Sequence, residues 1–241
     1  MKTQRNRDNS KLSFNLTPNN ILDFFLPRFC LSCNAKLREN KFLCPNCFVQ
    51  LEFAKQELIS SEFNRKFLEE KIITDFQTAF IFREDSVLQK LIHSLKYKSN
   101  FKVGKYLGVI SANRIYNKIQ LWDADLIIPI PLHYLKRASR GFNQAKEVSK
   151  GISEVMKIEI NPKVLKRNRF TETQTKLTLS ERRANVKDSF TFCGNPRKVK
   201  GKRIILVDDV ITTGSTISEA ARVLLEKDAK SVYALSVAIA E

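Results

Sequence analysis

No apolar run in this chain approaches the ~18 residues a bilayer-spanning helix needs, so no membrane span is expected. The first twenty residues, MKTQRNRDNSKLSFNLTPNN, are basic and polar and lack the apolar centre of a signal peptide. That lack points to the cytoplasm and makes residues 1–20 a disordered or loosely docked tail. A GxxxxGK[ST] segment is absent throughout, which excludes a P-loop nucleotide site. No internal repeat stands out. Acidic side chains are the minority, with 25 Asp and Glu against 42 Lys and Arg and a net charge of +17. A Lys-rich composition with solvated faces would account for the total, and so would a polyanionic ligand, a nucleic acid or an anionic surface. The clustering favours function: residues 131–200 carry 17 basic against 6 acidic side chains.

What is present suffices for one substantial domain and a small appendage. The chain has 241 residues, 43% of them apolar, including 17 Phe. TAFIFRE predicts a strand near residues 78–83, DLIIPIPL another over 125–132, and SVYALSVAIA a last one. SVLQKLIHSLKYKS sets Val87, Leu88, Leu91, Ile92 and Leu95 at helical spacing, and VGKYLGVISANRIYN and RGFNQAKEVSKGIS read as further helices. VLKRN and SFTFC are strand candidates flanking a polar, basic loop. Strands alternating with helices predict an α/β, doubly wound parallel sheet. The expected division is a tail (1–20), a metal module with a linker helix (21–72) and the α/β domain (73–241). Within the module, ILDFFLP (21–27) is expected to dock it onto the domain.

Residues 203–228, RIILVDDVITTGSTISEAARVLLEKD, concentrate the chemistry. Ile204 to Val207 read as a strand covered on both faces. Asp208 and Asp209 fall at its carboxyl end, where open α/β sheets place ligands. Gly214 permits a tight turn, and successive N–H groups with the hydroxyls of Thr212, Thr213, Ser215 and Thr216 can cradle a phosphate. A helix opening near Ser215 or Thr216 adds the positive end of its dipole. Helix capping would explain one of these residues but not the acidic doublet together with TTGST. A ribose with free hydroxyls, or a magnesium ion, would satisfy the two carboxylates.

Four of the five cysteines form one array, Cys30-x2-Cys33 followed after ten residues by Cys44-x2-Cys47. Two CxxC knuckles can complete a tetrahedral four-sulfur zinc site, which leaves no open position and makes the metal structural. Cys193 has no partner in sequence and reads as a buried small side chain on a strand. His93, inside a helical pattern, reads as packing or surface. His133, in a basic stretch past a strand end, suits a neutral role or none.

The segment 203–216 resembles the phosphoribosyl-pyrophosphate (PRPP) motif of type I phosphoribosyltransferases. The resemblance implies that Asp208 and Asp209 hold the ribose hydroxyls, while Thr212, Thr213, Gly214, Ser215 and Thr216 enclose the 5′-phosphate. Three further segments resemble hallmarks of the ComF/ComFC family of competence-associated, phosphoribosyltransferase-like bacterial proteins. They are PIPLHYLKRASRGFNQA (129–145), LIHSLKYKS (91–99) and KRNRFTETQTKLTLSERRANVKDSF (166–190). The four-cysteine module also fits that family, and together these cover residues 30–240. The implied fold is a type I phosphoribosyltransferase-like sheet with a small N-terminal zinc module. Arg137 and Arg140 are placed at the pyrophosphate, in the loop after a strand end, because a guanidinium fork binds phosphate in a bidentate way. Lys96 joins the PRPP-binding set. Arg183, Gln174 and Lys176 lie on a loop long enough to close over a substrate and exclude water.

Two departures temper the implied activity. Some purine-salvage relatives put a carboxylate where this chain has Thr212, so that base is missing. Nothing follows the last strand to form an acceptor hood, which would then come from the zinc module and residues 48–75. No glutamine amidotransferase domain precedes the transferase, which disfavours de novo purine synthesis. Two readings stay open. One is an enzyme transferring ribosyl phosphate from magnesium-PRPP to an unidentified acceptor, a salvage substrate included. The other is a single-stranded-DNA-binding competence factor for which PRPP is only a regulatory ligand. The family further implies partners among helicases and recombination proteins of DNA uptake.

Overall fold

The computed structural model describes residues 28–37, 41–169 and 186–240. Strands β1 (Arg28–Phe29) and β2 (Lys36–Leu37) pair antiparallel and lead to a one-turn helix, α1 (Pro45–Phe48). Helix α2 (Gln56–Phe63) runs directly into a π-helical turn at Asn64–Leu68. Next come β3 (Asp75–Phe82), α3 (Val87–Tyr97), α4 (Phe101–Arg114) and a short α5 (Tyr116–Gln120). Then follow β4 (Leu126–Pro129), α6 (Tyr134–Arg140) and α7 (Gln144–Met156). Strands β5 (Leu165–Arg167) and β6 (Phe190–Phe192) form an antiparallel pair. The chain closes with β7 (Arg203–Ile211), α8 (Ser215–Leu225) and β8 (Ser231–Ala240).

The central sheet has the order β3-β8-β7-β4, and every neighbouring pair is parallel. Ile204, Ile205, Leu206 and Val207 are fully buried. Alternate members of this run belong to different apolar clusters: Ile205 and Val207 to one, Ile204 and Leu206 to the other. That is the doubly wound arrangement expected from a continuous β-branched run. The first cluster is built from α3, α4, α7 and the cysteine module, the second from α2, α8 and the β5–β6 pair. Each fully buried aliphatic side chain contributes about 1.5–3 kcal/mol, so the two-faced strand is a principal source of cohesion.

Local chemistry sets the element ends. Ser86 caps α3 by accepting the Gln89 N–H at 3.1 Å. Asn143 caps α7 and, through its Nδ2, donates to the Ile130 carbonyl at 2.9 Å, tying the strand end to the helix start. Both edges of the sheet are covered, which removes free pairing sites. Residues 52–54 run beside β3, with Ala54 donating to the Ala79 carbonyl and Ile81 to that of Glu52. At the opposite edge Ile127 donates to Glu159 and Asn161 to Ile127.

Several expectations shift. Strand β3 starts at Asp75, three residues before the apolar pattern becomes obvious, because Asp75 Oδ1 accepts the Phe76 N–H and Oδ2 accepts the Trp122 indole N–H. The strand expected over 125–132 ends at Pro129, since the prolines cannot supply ladder donors. Strand β7 continues two residues past the acidic doublet, to Ile211, rather than ending at it. Arg137 and Arg140 lie on helix α6 and not in a loop. No residue of α6 is buried, so no apolar periodicity announced it; Gly141, at φ +79°, ends it. Cys193 is half-buried just beyond β6 rather than buried on it. Residues 21–27 lie outside the described residues.

Helices α4 and α7 cross at glycines. A Cβ on Gly108 would fall 2.0 Å from the Val148 carbonyl oxygen, and one on Gly151 would fall 2.1 Å from that of Lys105. Backbone cannot yield as a flexible side chain does, so Gly151→Ala should destabilise the fold by at least the ~1–3 kcal/mol typical of overpacking. Chemical denaturation should register a lower midpoint with an unchanged slope.

Candidate functional site

The cysteine module brings Cys30, Cys33, Cys44 and Cys47 together, with all four sulfur atoms within 4.8 Å of one another. Cys33 and Cys44 sulfurs are 3.6 Å apart, close to the separation that two bonds of about 2.3 Å at a tetrahedral angle impose. Burial alone would raise the Cys30 thiol, but the N–H groups of Cys33, Cys44 and Ser32 hold it down at about 6. Burial and the neighbouring sulfurs push Cys47 up to about 12. A divalent cation would relieve that crowding, and a four-thiolate set suits zinc. The module docks on the first face of the domain, where Phe42 meets Tyr106 at 5.2 Å and Lys90 donates to the Ser32 carbonyl at 3.3 Å.

The acidic doublet sits near the carboxyl end of β7, two residues before the strand finishes. Asp208 Oδ1 accepts the Asp209 N–H at 2.8 Å, and Asp209 Oδ2 meets the Lys96 ammonium at 2.6 Å. Lys96 arrives from the last turn of α3. Burial, then the charge of Asp209, pushes Asp208 up to about 8. Burial would raise Asp209 too, but Lys96 lowers it. Burial opposes the charge on Lys96, and the two carboxylates more than restore it. Lysine therefore compensates one carboxylate, while the other is pushed towards its protonated form.

Beyond the doublet the chain turns through Thr212, Thr213 and Gly214. Gly214 has φ +80° and precedes Ser215, the first residue of α8. Thr213 and Ser215 hydroxyls are 3.0 Å apart, and Gly214 and Ser215 are buried while Thr212 is exposed. Thr216 follows in the first helical turn, half-buried. The turn rests on a part of the chain that no motif announced. The Lys66 ammonium donates to the Thr212 carbonyl, and a Cβ on Gly214 would fall 2.6 Å from Phe67 Cε1.

Cations gather beside this cup. Arg140 donates to Gln144 Oε1 at 3.2 Å, stands 5.6 Å from the Tyr97 ring centre and repels Lys96. Arg137 lines an adjoining cleft of about 370 Å³ with Lys146, Lys163, Lys166 and Arg167. Burial lowers Arg167, while the charge of Asp208 raises it, so it too belongs to the doublet's surroundings. Asp208, Asp209, Lys96, Arg140 and the 212–216 turn thus come together, with Arg137 in the next cleft. Gln174, Lys176 and Arg183 lie outside the described residues. His133 is buried, and its Nδ1 accepts the Leu135 N–H at 3.4 Å, capping α6; His93 is exposed and meets the Tyr97 ring in a tilted contact, 4.8 Å between ring centres.

Known proteins match this arrangement. Residues 105–240 match the phosphoribosyl transferase domain family. Competence protein F of Haemophilus influenzae is 35% identical over 143 residues, covering 57% of this chain and 61% of that protein. DNA utilization protein YhgH of Escherichia coli K12 is 30% identical over 210 residues, covering 84% of this chain and 86% of its own. The chain belongs to the ComF family. Among solved structures, the glutamine PRPP amidotransferase of Bacillus subtilis is 22% identical, with a TM-score of 0.35, and covers 58% of this chain and 26% of its own. Likeness at that level is too slight to argue from. No helix among the described residues is long and apolar enough to cross a membrane.

Three contributors to this ComF site escaped sequence reading. Arg167 sat inside a strand candidate, Gln144 inside a quoted motif without a role, and Lys66 in a stretch read as helix and linker. Gln144 had a signal in its place next to Asn143 in RGFNQ, and Arg167 in its place at the start of the quoted segment 166–190, while Lys66 had none.

Two outcomes follow from the electrostatics. The purified chain should carry about one zinc per molecule, and Cys47→Ser should lose it and melt several degrees lower, as should the wild type after strong chelation. For Asp208, the folded value lies above the unfolded one, so its share of stability is present below about pH 4 and is lost as pH rises to about 8. Asp208→Asn removes that loss. Thermal melts should show the variant's advantage largest near pH 8, smaller but still present at pH 5, and negligible only below about pH 4, each kcal/mol being worth about 2–4 °C.

Proposed function

We propose that this ComF-family chain binds magnesium-PRPP at the β7–α8 corner and works in the handling of DNA during uptake. The observation that carries the reading is the junction of the Asp208–Asp209 doublet, paired to Lys96, with the phosphate-sized turn at Thr212–Thr216. The doublet would hold the ribose hydroxyls, and the turn with the α8 N-terminus would hold the 5′-phosphate. Arg140 and Arg137 stand where a pyrophosphate extending from the sugar would meet guanidinium groups. Asp208 and Asp209 are also the residues that would hold magnesium, an ion that neutralises pyrophosphate as negative charge develops on it. The relatives' printed names, competence protein and DNA utilization protein, supply the biological setting.

A second reading has its own support. Exposed Tyr97 and Tyr134, 65% and 67% accessible, alternate with Arg137 and Arg140 beside the site. Aromatic platforms interleaved with cations are what single-stranded nucleic acid uses for stacking and phosphate neutralisation. PRPP would then be a ligand that tunes DNA binding.

Calorimetry decides between these. Magnesium-PRPP should bind at one saturable site, and the double substitution Asp208→Asn, Asp209→Asn should abolish it. Absence of binding by the intact protein would sink the proposal. Adding single-stranded DNA before or after PRPP should shift both affinities by the same factor where the two sites are coupled, since linkage is reciprocal. The DNA arm should weaken steeply with salt.

A further inference from the structure

The PRPP motif is self-contained in sequence, yet its turn is held from outside. The chain leaving the cysteine module runs beside the edge of β3, forms α2, and ends over the turn in the π-helical segment Asn64–Leu68. Single π-turns concentrate at functional sites because they displace one side chain from its helical position. Here the displaced region carries Lys66 and Phe67, which are 5% and 1% exposed. Lysines are almost never this buried without a specific reason. The Lys66 ammonium has two partners, the Glu62 carboxylate at 2.7 Å and the carbonyl oxygen of Thr212. Glu62 is also held by Arg65 at 2.6 Å, so Lys66 is not needed to balance it. The Phe67 ring closes on Gly214, where only a residue without a Cβ fits.

A cation on a peptide carbonyl does two things. It fixes the orientation of that peptide, and it polarises the N–H on the same unit, here that of Thr213, towards stronger donation. It also places positive charge one peptide away from where a phosphate would lie.

We propose that Lys66 is a positioning residue of the 5′-phosphate cup, acting through the Thr212 carbonyl, with Phe67 as the wall behind Gly214. The inference rests on the PRPP reading of the site and adds to it a residue from outside the motif, carried by the N-terminal segment. It also gives residues 56–68 a reason to stay docked when the ligand is bound.

The test uses the two ends of the ligand as separate probes. Ribose 5-phosphate reports on the cup, and magnesium-pyrophosphate reports on the arginines. Lys66→Met keeps the aliphatic stem and removes the charge. It should weaken ribose 5-phosphate and PRPP by about tenfold to a hundredfold, the range for a lost charged hydrogen bond, and leave pyrophosphate affinity unchanged. Glu62→Gln, which keeps the contact to Thr212, should change all three by less than about threefold, as an i,i+4 pair backed by Arg65 would. The double substitution Glu62→Gln with Lys66→Met leaves no buried charge uncompensated, since Arg65 is half-exposed to solvent; it serves if the single variant does not fold, and should show the same selective loss. Parallel weakening of both fragments, or of neither, overturns the role of Lys66. Wild-type protein that binds pyrophosphate and PRPP but not ribose 5-phosphate also overturns it while sparing the site. Wild-type protein that binds none of the three overturns the PRPP reading itself.

Discussion

Two carboxylates cannot sit side by side inside a protein without compensation, and the compensation here comes from one lysine on another element. Asp208 and Asp209 are neighbours on a strand buried on both faces, and Lys96 reaches them from the end of α3. Strand β7 must pass through the middle of the sheet to be covered on both sides, helix α3 must cross the first face to deliver its last turn, and α8 must start where β7 stops. Removing the lysine would leave like charges facing each other in a medium that screens them poorly. The doublet is therefore balanced but not relaxed: Lys96 compensates Asp209, while burial and the charge of Asp209 push Asp208 up to about 8. A ligand that brings magnesium and hydroxyl donors would replace that makeshift balance. The repulsion between the two carboxylates is thus the reason a cation-bearing ligand would be favoured there.

The N-terminal region takes part in this architecture on both sides of the sheet. Its cysteine module packs against the helices of the first face, its extended stretch covers the edge of β3, and its π-turn reaches the second face beneath the phosphate-sized turn. The four cysteines could hold a metal ion, and a knuckle so stabilised would be a compact anchor for one end of such a strap, since four thiolates and one ion would fix a short segment that has little core of its own. The other end is anchored by Phe67 in the second cluster, next to Phe76 at 5.7 Å.

How much of this was legible in the sequence depended on whether the relevant residues were contiguous. The strand, the doublet and the turn lie within fourteen consecutive positions, Arg203 to Thr216, and each signals by its own chemistry. The cysteine array is legible for the same reason, through the spacing within each pair. Lys96 is harder: it occupies the polar stripe of an amphipathic helix, where a lysine ordinarily means solvent, and only the resemblance of its segment singled it out. Helix α6 gives no signal because nothing in it is buried, so Tyr134–Arg140 reads as loop until Asn143 and Gly141 are seen to frame it. Lys66 was out of reach altogether. It meets Thr212 across 146 residues of chain, and its neighbours in NRKFL look like an ordinary charged stretch. Contacts of that separation are decided by tertiary packing, which local periodicity does not encode.

The step from holding a phosphoribosyl group to transferring it turns on what surrounds C1 of the sugar. Displacement there breaks the bond to pyrophosphate, which leaves with its electron pair, and forms a bond to the acceptor, which must give up a proton. In this chain the place where some purine-salvage relatives supply a carboxylate holds Thr212, exposed and with its carbonyl committed to Lys66. A threonine hydroxyl is no base near neutral pH. Any acceptor used here would have to be nucleophilic without help or pass its proton to the departing pyrophosphate or to water. The cationic surroundings of Arg137, Arg140 and Arg167 would favour a pyrophosphate whether or not it leaves, so on the proposed reading they would strengthen binding without discriminating the transition state from the ground state.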